Sequence, residues 1–154
     1  MDKEQLVDWQ FEGKPLLETP PNAKAFIYKI TFMGTYSQWR GHYYVGYKLF
    51  NSTRTKRLGK KKIAAMTDKR RSKKETIITE STWKSYTGSC RNSNYKELWE
   101  KFPNLFKREI LQIVYHGDWS EKYYEKKHMI LQDWESPMCW NGNFEGKIFK
   151  KNEI

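Results

Sequence analysis

Cysteine, histidine and long apolar runs are all scarce in this sequence. It has two cysteines, Cys90 and Cys139, and three histidines, and none of them stands in a CxxC or HxxxH spacing. This scarcity excludes a disulfide framework and argues against a structural zinc site. No run of about 18 apolar residues occurs, so no transmembrane helix is expected. Met1–Glu4 is charged and opens no apolar signal-peptide core, which predicts a cytoplasmic protein.

Acidic residues are nearly absent from one segment, and basic residues fill it. The chain has a net charge of +11, and residues 54–74 carry +10 of it, from eleven Lys and Arg against Asp68. Such a block indicates a polyanionic partner, and nucleic acid fits better than a membrane surface because large apolar anchors are missing. The alternative is a solvated loop. The candidate nucleic-acid-binding side chains of this block are Arg57, Lys60, Lys61, Lys62, Lys69, Arg70, Arg71, Lys73 and Lys74.

The pattern of apolar residues predicts one α+β domain. Aromatic residues make up 16% of the 154 residues, which is enough for a packed core. Aromatic and β-branched alternation predicts an antiparallel hairpin of two strands, with Phe26, Tyr28, Ile30 and Phe32 on one face. The predicted strands are 25–32, 43–49, 76–79 and 106–115, the predicted helices are 61–68, 95–101 and 121–134, and 139–143 closes the domain as a strand or turn.

Capping signals and boundaries complete this prediction. Asn94 with Glu97 resembles a capping box, and residues 118–121 offer a second N-cap. The core stripe of the last helix is predicted to be Tyr124, Ile130, Leu131 and Trp134. We expect an N-terminal arm at 1–23, a domain at 24–145 with a basic insert at 54–80, and a tail at 146–154. Helices would cover a small antiparallel sheet.

Two tripeptides on the hairpin resemble the signature of the GIY-YIG nuclease family. They are Phe26-Ile27-Tyr28 and Tyr44-Val45-Gly46, with Phe in place of the first Gly. The downstream order is similar too, and the resemblance covers residues 25–143. Its further elements are Arg54, Tyr86-Thr87-Gly88-Ser89 before a helix, Asn104-Leu105-Phe106, Ile110-Leu111, Glu125 in a helix, and Asn141. The departures are a longer loop between the tripeptides and the lysine-rich insert.

The resemblance implies a metal-dependent DNA endonuclease, similar to phage or mobile-element enzymes of the homing or structure-processing kind. Glu125 would hold Mg²⁺ or Mn²⁺, with Glu121 as the alternative, since hard cations prefer carboxylate oxygens. Tyr28 and Tyr44 would bind the attacking water or the phosphate. Lys48 could lower a tyrosine pKa, because a nearby cation favours the phenolate.

The remaining roles are less closely defined by the pattern. Gly46 would let a phosphate approach the backbone, since it has no side chain. Arg54 is the first candidate for a transition-state arginine and Arg91 the second, because a guanidinium matches two phosphate oxygens. Asn141 would anchor the end of the site through side-chain hydrogen bonds. Two other classes stay open: a catalytically inactive nucleic-acid-binding module of the same fold, and an RNA-associated basic protein.

Overall fold

The computed structural model describes residues 6–35, 37–66 and 74–141. Its strands are β1 (Gln10–Phe11), β2 (Lys14–Pro15), β3 (Ala23–Phe32), β4 (Tyr43–Leu49), β5 (Asn51–Arg57), β6 (Lys74–Glu80) and β7 (Phe106–Tyr115). Its α-helices are α1 (Lys60–Ala65), α2 (Ser93–Lys101) and α3 (Glu121–Leu131), and short 3₁₀ turns span Trp83–Ser85 and Pro103–Leu105. The α+β class is as predicted. No helix in this described part has the length and hydropathy that crossing a membrane requires.

The main sheet has five strands in the order β2-β1-β7-β3-β4. The predicted β3–β4 hairpin forms, with Tyr28 opposite Gly46, and β7 pairs antiparallel with the other side of β3. The β1–β7 pair is parallel, so the sheet is mixed at one end. Strands β1 and β2 come from the expected N-terminal arm, and Trp9 from the same segment is 1% exposed in the core. Residues 9–15 therefore belong to the body of the domain.

Both faces of the main sheet are covered, because β3 is apolar on both sides. The predicted face of Phe26, Tyr28, Ile30 and Phe32 belongs to one buried cluster that also contains residues of α2, and Ala25 and Ile27 belong to a second cluster that contains Met129 of α3. Strand β4 is an edge of this sheet. One groove can therefore reach residues from both faces by passing along β4.

The basic insert forms a second, two-stranded sheet. Strands β5 and β6 pair antiparallel over their whole length, and the predicted strand at 76–79 is thus extended to 74–80. Strand β5 was not predicted, because its exposed sequence NSTRTKR has no apolar alternation. The helix predicted over 61–68 runs over 60–65, and the end of that prediction lies outside the described residues.

Three local predictions were wrong in detail. Asn92, not Asn94, caps α2: its side chain accepts hydrogen bonds from the backbone of Asn94 (2.9 Å) and Tyr95 (3.2 Å).

Helix α3 ends at Leu131, and Gln132 is its C-cap. The stripe of α3 that faces the sheet contains Glu125 and Met129, not the two predicted apolar residues Ile130 and Leu131, which are 46% and 73% exposed. Tyr124 and Trp134 do pack against the sheet as predicted. Ser120, within the predicted second N-cap, caps α3 through Tyr123 N–H.

Candidate active site

A groove of about 810 Å³ follows the edge strand β4. Strand β4 and the first turns of α3 both contribute lining residues, and the segment between β6 and α2 contributes others. The predicted residues that line it are Tyr28, Tyr44, Gly46, Lys48 and Glu125. Further lining residues, to which the sequence prediction assigned no role in the site, are Tyr47, Leu49, Asn51, Ser52, Ser81, Tyr86, Ser89, Ser120, Lys122, Tyr123 and Lys126.

Tyr28 and Tyr44 lie next to each other on β3 and β4, with ring centroids 6.2 Å apart. Burial raises the pKa of Tyr28 well above its usual value and that of Tyr44 to about 12. Both hydroxyls are therefore protonated at neutral pH, and Lys48 does not produce a phenolate. Each hydroxyl suits hydrogen-bond donation to a phosphate oxygen better than proton abstraction from water.

Gly46 leaves space that the Tyr28 hydroxyl fills. A Cβ atom at residue 46 would lie 2.4 Å from that oxygen, which is a clash against a fully buried ring. The absence of a side chain at residue 46 thus leaves room for the Tyr28 hydroxyl, and Tyr28 lines the groove at this point. This is a steric reason for the glycine in addition to the predicted approach of a phosphate.

Tyr86 and Ser89 complete the polar wall from the turn before α2. The Tyr86 ring packs edge-on against the Tyr28 ring with centroids 5.9 Å apart, and the Ser89 Oγ lies 3.4 Å from the Tyr44 hydroxyl. The Lys48 ammonium lies 4.5 Å from the centroid of the Tyr86 ring. The sequence prediction used this Tyr-x-Gly-Ser step as a family marker without assigning it a role, and that marker was the available signal.

Glu125 is the one carboxylate among the groove residues, and it is 7% exposed. Burial raises its pKa to about 7, although Lys122 and a hydrogen bond from the Tyr47 backbone N–H oppose that rise. Antiparallel edge strands point alternate N–H groups outward, and β4 is such an edge strand beside Glu125. A buried anionic oxygen of this kind fits a hard divalent cation, which would replace the lost hydration. Within the described residues, no three His, Cys, Asp or Glu side chains cluster as a metal centre.

Glu121, the alternative metal ligand, has a different environment one helical turn earlier. Its carboxylate pairs with the Lys24 ammonium at 3.0 Å. Burial alone would raise its pKa, but a backbone N–H, Lys24 and Lys122 together lower it. Because Glu121 already has a cationic partner, Glu125 is the better candidate for a metal.

Asn141 is fully buried and bonds to the other outward-facing part of the β4 edge. Its Oδ1 accepts from Val45 N–H at 2.8 Å, and its Nδ2 donates to Val45 C=O at 2.7 Å. Val45 lies between Tyr44 and Gly46, so the amide fixes the backbone that carries both groove residues. Asn141 thus fixes the local backbone of β4 and does not itself line the groove.

The two candidate arginines do not line the groove. Arg54 is exposed on β5, two residues beyond the groove residue Ser52. Arg91 is exposed beside a smaller neighbouring pocket, which shares Ser89 with the groove. Lys122 and Lys126 of α3 supply, with Lys48, the positive charge of the groove itself.

The basic block is described only in part. Arg57, Lys60, Lys61, Lys62 and Lys74 are exposed on β5, α1 and β6, and the Lys62 ammonium bonds to Glu75 at 2.9 Å. Lys69, Arg70, Arg71 and Lys73 lie outside the described residues. The five described side chains lie on the second sheet and on α1, and they do not line the groove.

Arg108 of β7 is a buried residue that the sequence prediction missed. It is 1% exposed, and its guanidinium donates to the carbonyl oxygens of Val7 (2.7 and 3.0 Å), Lys84 (3.0 Å) and Tyr86 (2.9 Å). Burial lowers its pKa to about 10. Arg108 therefore holds the N-terminal segment and the turn that carries Tyr86 against the core.

A groove with lysine walls, protonated tyrosine hydroxyls and one buried carboxylate is a site suited to phosphodiesters, and this α+β domain is of a nuclease class. The chain belongs to the GIY-YIG nuclease family: residues 9–136 match the family model described as "Putative endonuclease segE, GIY-YIG domain". The match includes Trp9 and the β1–β2 segment. Searches of curated proteins and of solved structures each found no significant match.

Proposed function

We propose that this chain is a metal-dependent endonuclease that hydrolyses phosphodiester bonds of double-stranded DNA, with Glu125 as the ligand of Mg²⁺ or Mn²⁺. The observation that carries the proposal is the buried Glu125 carboxylate in a groove with three lysines and tyrosine hydroxyls. A phage or mobile-element origin, and a homing or structure-processing role, belong to the same proposal through the family resemblance.

The residues of the groove divide the work of hydrolysis. Lys48, Lys122 and Lys126 attract the phosphate, and Tyr44 and Tyr86 donate hydrogen bonds to its non-bridging oxygens. Water attacks phosphorus and releases a proton to solvent, while the P–O3′ bond breaks and the 3′ oxygen takes up a proton from solvent. A divalent cation supplies Lewis-acid polarisation and neutralises the leaving oxygen when bound. Preorganised donors of this kind stabilise developing charge without reorganisation.

The arginine of the transition state is proposed to come from Arg54, and Arg91 is second. Both are exposed and lie just beyond groove residues, Ser52 and Ser89 respectively. Either side chain could turn toward bound DNA because surface arginines are long and mobile.

A second candidate function is a nucleic-acid-binding module without catalysis. Its support is that neither described arginine candidate lines the groove. Supercoiled plasmid with Mg²⁺ or Mn²⁺, with and without chelator, separates the two functions. A nuclease converts the plasmid to nicked or linear forms only without chelator, whereas a binding module retards it without cutting.

Glu125→Gln and Glu121→Gln form a matched pair for this assay, since the two carboxylates lie one helical turn apart on α3 and only Glu125 lines the groove. Glu125→Gln should abolish cleavage while binding stays intact or tightens, because one negative charge is lost. Glu121→Gln should still cut. The reverse pattern would make Glu121 the metal ligand.

A further inference from the structure

Trp119 and Tyr123 form an exposed aromatic pair at the start of α3. Their ring centroids lie 5.2 Å apart with an interplanar angle of 30°, and Trp119 is 71% exposed. Tyr123 is itself a groove residue and is 42% exposed. The Trp119 ring faces solvent beside a cationic groove and does not stabilise the core. It is therefore available to contact a bound molecule.

The charges around the pair are complementary to a nucleic-acid backbone. Lys122 and Lys126 line the groove next to Tyr123, and the Lys127 ammonium lies 5.4 Å from the Tyr123 ring centroid. Aromatic rings flanked by cations bind nucleic acid by stacking on bases while the cations follow the phosphates. We therefore take DNA as the molecule that binds this aromatic pair.

A ring of this kind can meet a base face only where the base is not enclosed in a duplex stack. Paired bases in B-DNA stack on each other and expose only their edges in the grooves. An unpaired nucleotide offers its face to Trp119. Trp119 lies just before the N-cap of α3, six residues before Glu125. At the helical rise of about 1.5 Å per residue their separation is on the order of 9 Å, which corresponds to about two to three stacked nucleotides.

We propose that Trp119 and Tyr123 bind an unpaired base of the DNA substrate, two to three nucleotides from the phosphate held beside Glu125, at the stacked rise of about 3.4 Å. This inference rests on the proposed function and narrows its substrate to DNA with unpaired nucleotides near the cut, such as a flap or a branch point. A fully paired site would leave the aromatic pair uncovered.

Binding of the full chain to two DNAs tests the inference, with chelator present so that nothing is cut. One DNA is an intact duplex and the other is the same duplex with a short single-stranded flap, both followed by fluorescence anisotropy. Trp119→Ala should weaken flap binding by roughly 5- to 150-fold, because stacking of one base is worth about 1–3 kcal/mol, and should leave duplex binding unchanged. Trp119→Phe should retain most of the preference.

Leu131→Ala is the matched control, because Leu131 is 73% exposed at the other end of the same helix. It should change neither affinity. Flap DNA with abasic flap positions should bind wild type as weakly as Trp119→Ala binds the normal flap, with no further loss in the variant. If Trp119→Ala lost equal affinity for both DNAs, or none for the flap, the inference would be overturned. An equal loss together with a lower Tm would mean that Trp119 only packs on Tyr123. A wild type that never cuts plasmid refutes the nuclease proposal, while selective flap binding in chelator would survive that result.

Discussion

Replacing the buried carboxylate of Glu125 should make the metal-free protein more stable at neutral pH. In the unfolded chain Glu125 ionises near its ordinary pKa of 4.5, whereas burial raises the folded pKa to about 7. Between these values the folded protein holds a proton that the unfolded chain has released. The stability that depends on the protonated Glu125 is therefore fully present below pH 4.5 and is lost as the pH rises through 7.

The gap between 4.5 and about 7 corresponds to on the order of 3 kcal/mol at about 1.36 kcal/mol per pKa unit. Glu125→Gln cannot ionise, so its stability advantage over wild type should grow from near zero at pH 4.5 to that value at pH 8. For a chain of this size the difference amounts to roughly 6–12 °C in Tm. Thermal unfolding of both proteins in chelator, at a series of pH values, measures it.

Two further measurements separate Glu125 from general acid effects. Glu121→Gln should show the opposite trend, because the Glu121 pKa is lowered and its stabilisation is lost as the pH falls. Adding Mg²⁺ at pH 8 should raise the Tm of wild type and leave Glu125→Gln unchanged, since a ligand of the folded state stabilises by mass action. Parallel pH curves for wild type and Glu125→Gln would refute the reasoning.

Three other perturbations have defined outcomes. Tyr44→Phe keeps the ring and removes only the hydroxyl, so plasmid cleavage should slow about 10-fold or more with little change in Tm; a lower Tm at full rate would mean that Tyr44 only packs. Gly46→Ala places a Cβ 2.4 Å from the Tyr28 hydroxyl and should lower the free energy of unfolding, measured in urea, by about 1–3 kcal/mol. In the control Gly59→Ala the new Cβ meets nothing within 4 Å, and the free energy of unfolding should fall by only about a few tenths of a kcal/mol. Serine in place of the lysines at 60–62 should flatten the log–log salt dependence of DNA affinity by about 0.9 per lost phosphate contact, and an unchanged slope would make these lysines a solvated surface.

The parts of the fold that the sequence predicted are those with a strong periodic pattern. Strands β3, β4 and β7 alternate aromatic or β-branched residues, and all three form as expected. Strand β5 escaped prediction because ladder pairing with β6, not burial, holds it. Trp9 escaped because an isolated aromatic has no period, and its place depends on β1 pairing with the distant β7.

The candidate site was predictable where a motif fixed the position and unpredictable where burial did. Tyr28, Tyr44 and Glu125 were chosen from the family pattern, and the structure brings them to one groove. A helical pattern alone assigns a glutamate to the solvent side, which is why Ile130 and Leu131 were placed in the core instead. Arg108 was invisible for the same reason: a charged residue on a strand is expected to face water.

The guanidinium of Arg108 has a consequence for how the molecule opens. It donates to carbonyls at residues 7, 84 and 86, so two stretches of chain far apart in sequence share one buried donor on β7. If either stretch moves away, the buried Arg108 guanidinium loses hydrogen-bond acceptors, and an unpaired buried charge costs free energy. The N-terminal segment and the turn bearing Tyr86 should therefore exchange their amide hydrogens as one cooperative unit. Removing the chain up to and including residue 7 would therefore loosen the groove residue Tyr86 through Arg108, without a direct contact between the two.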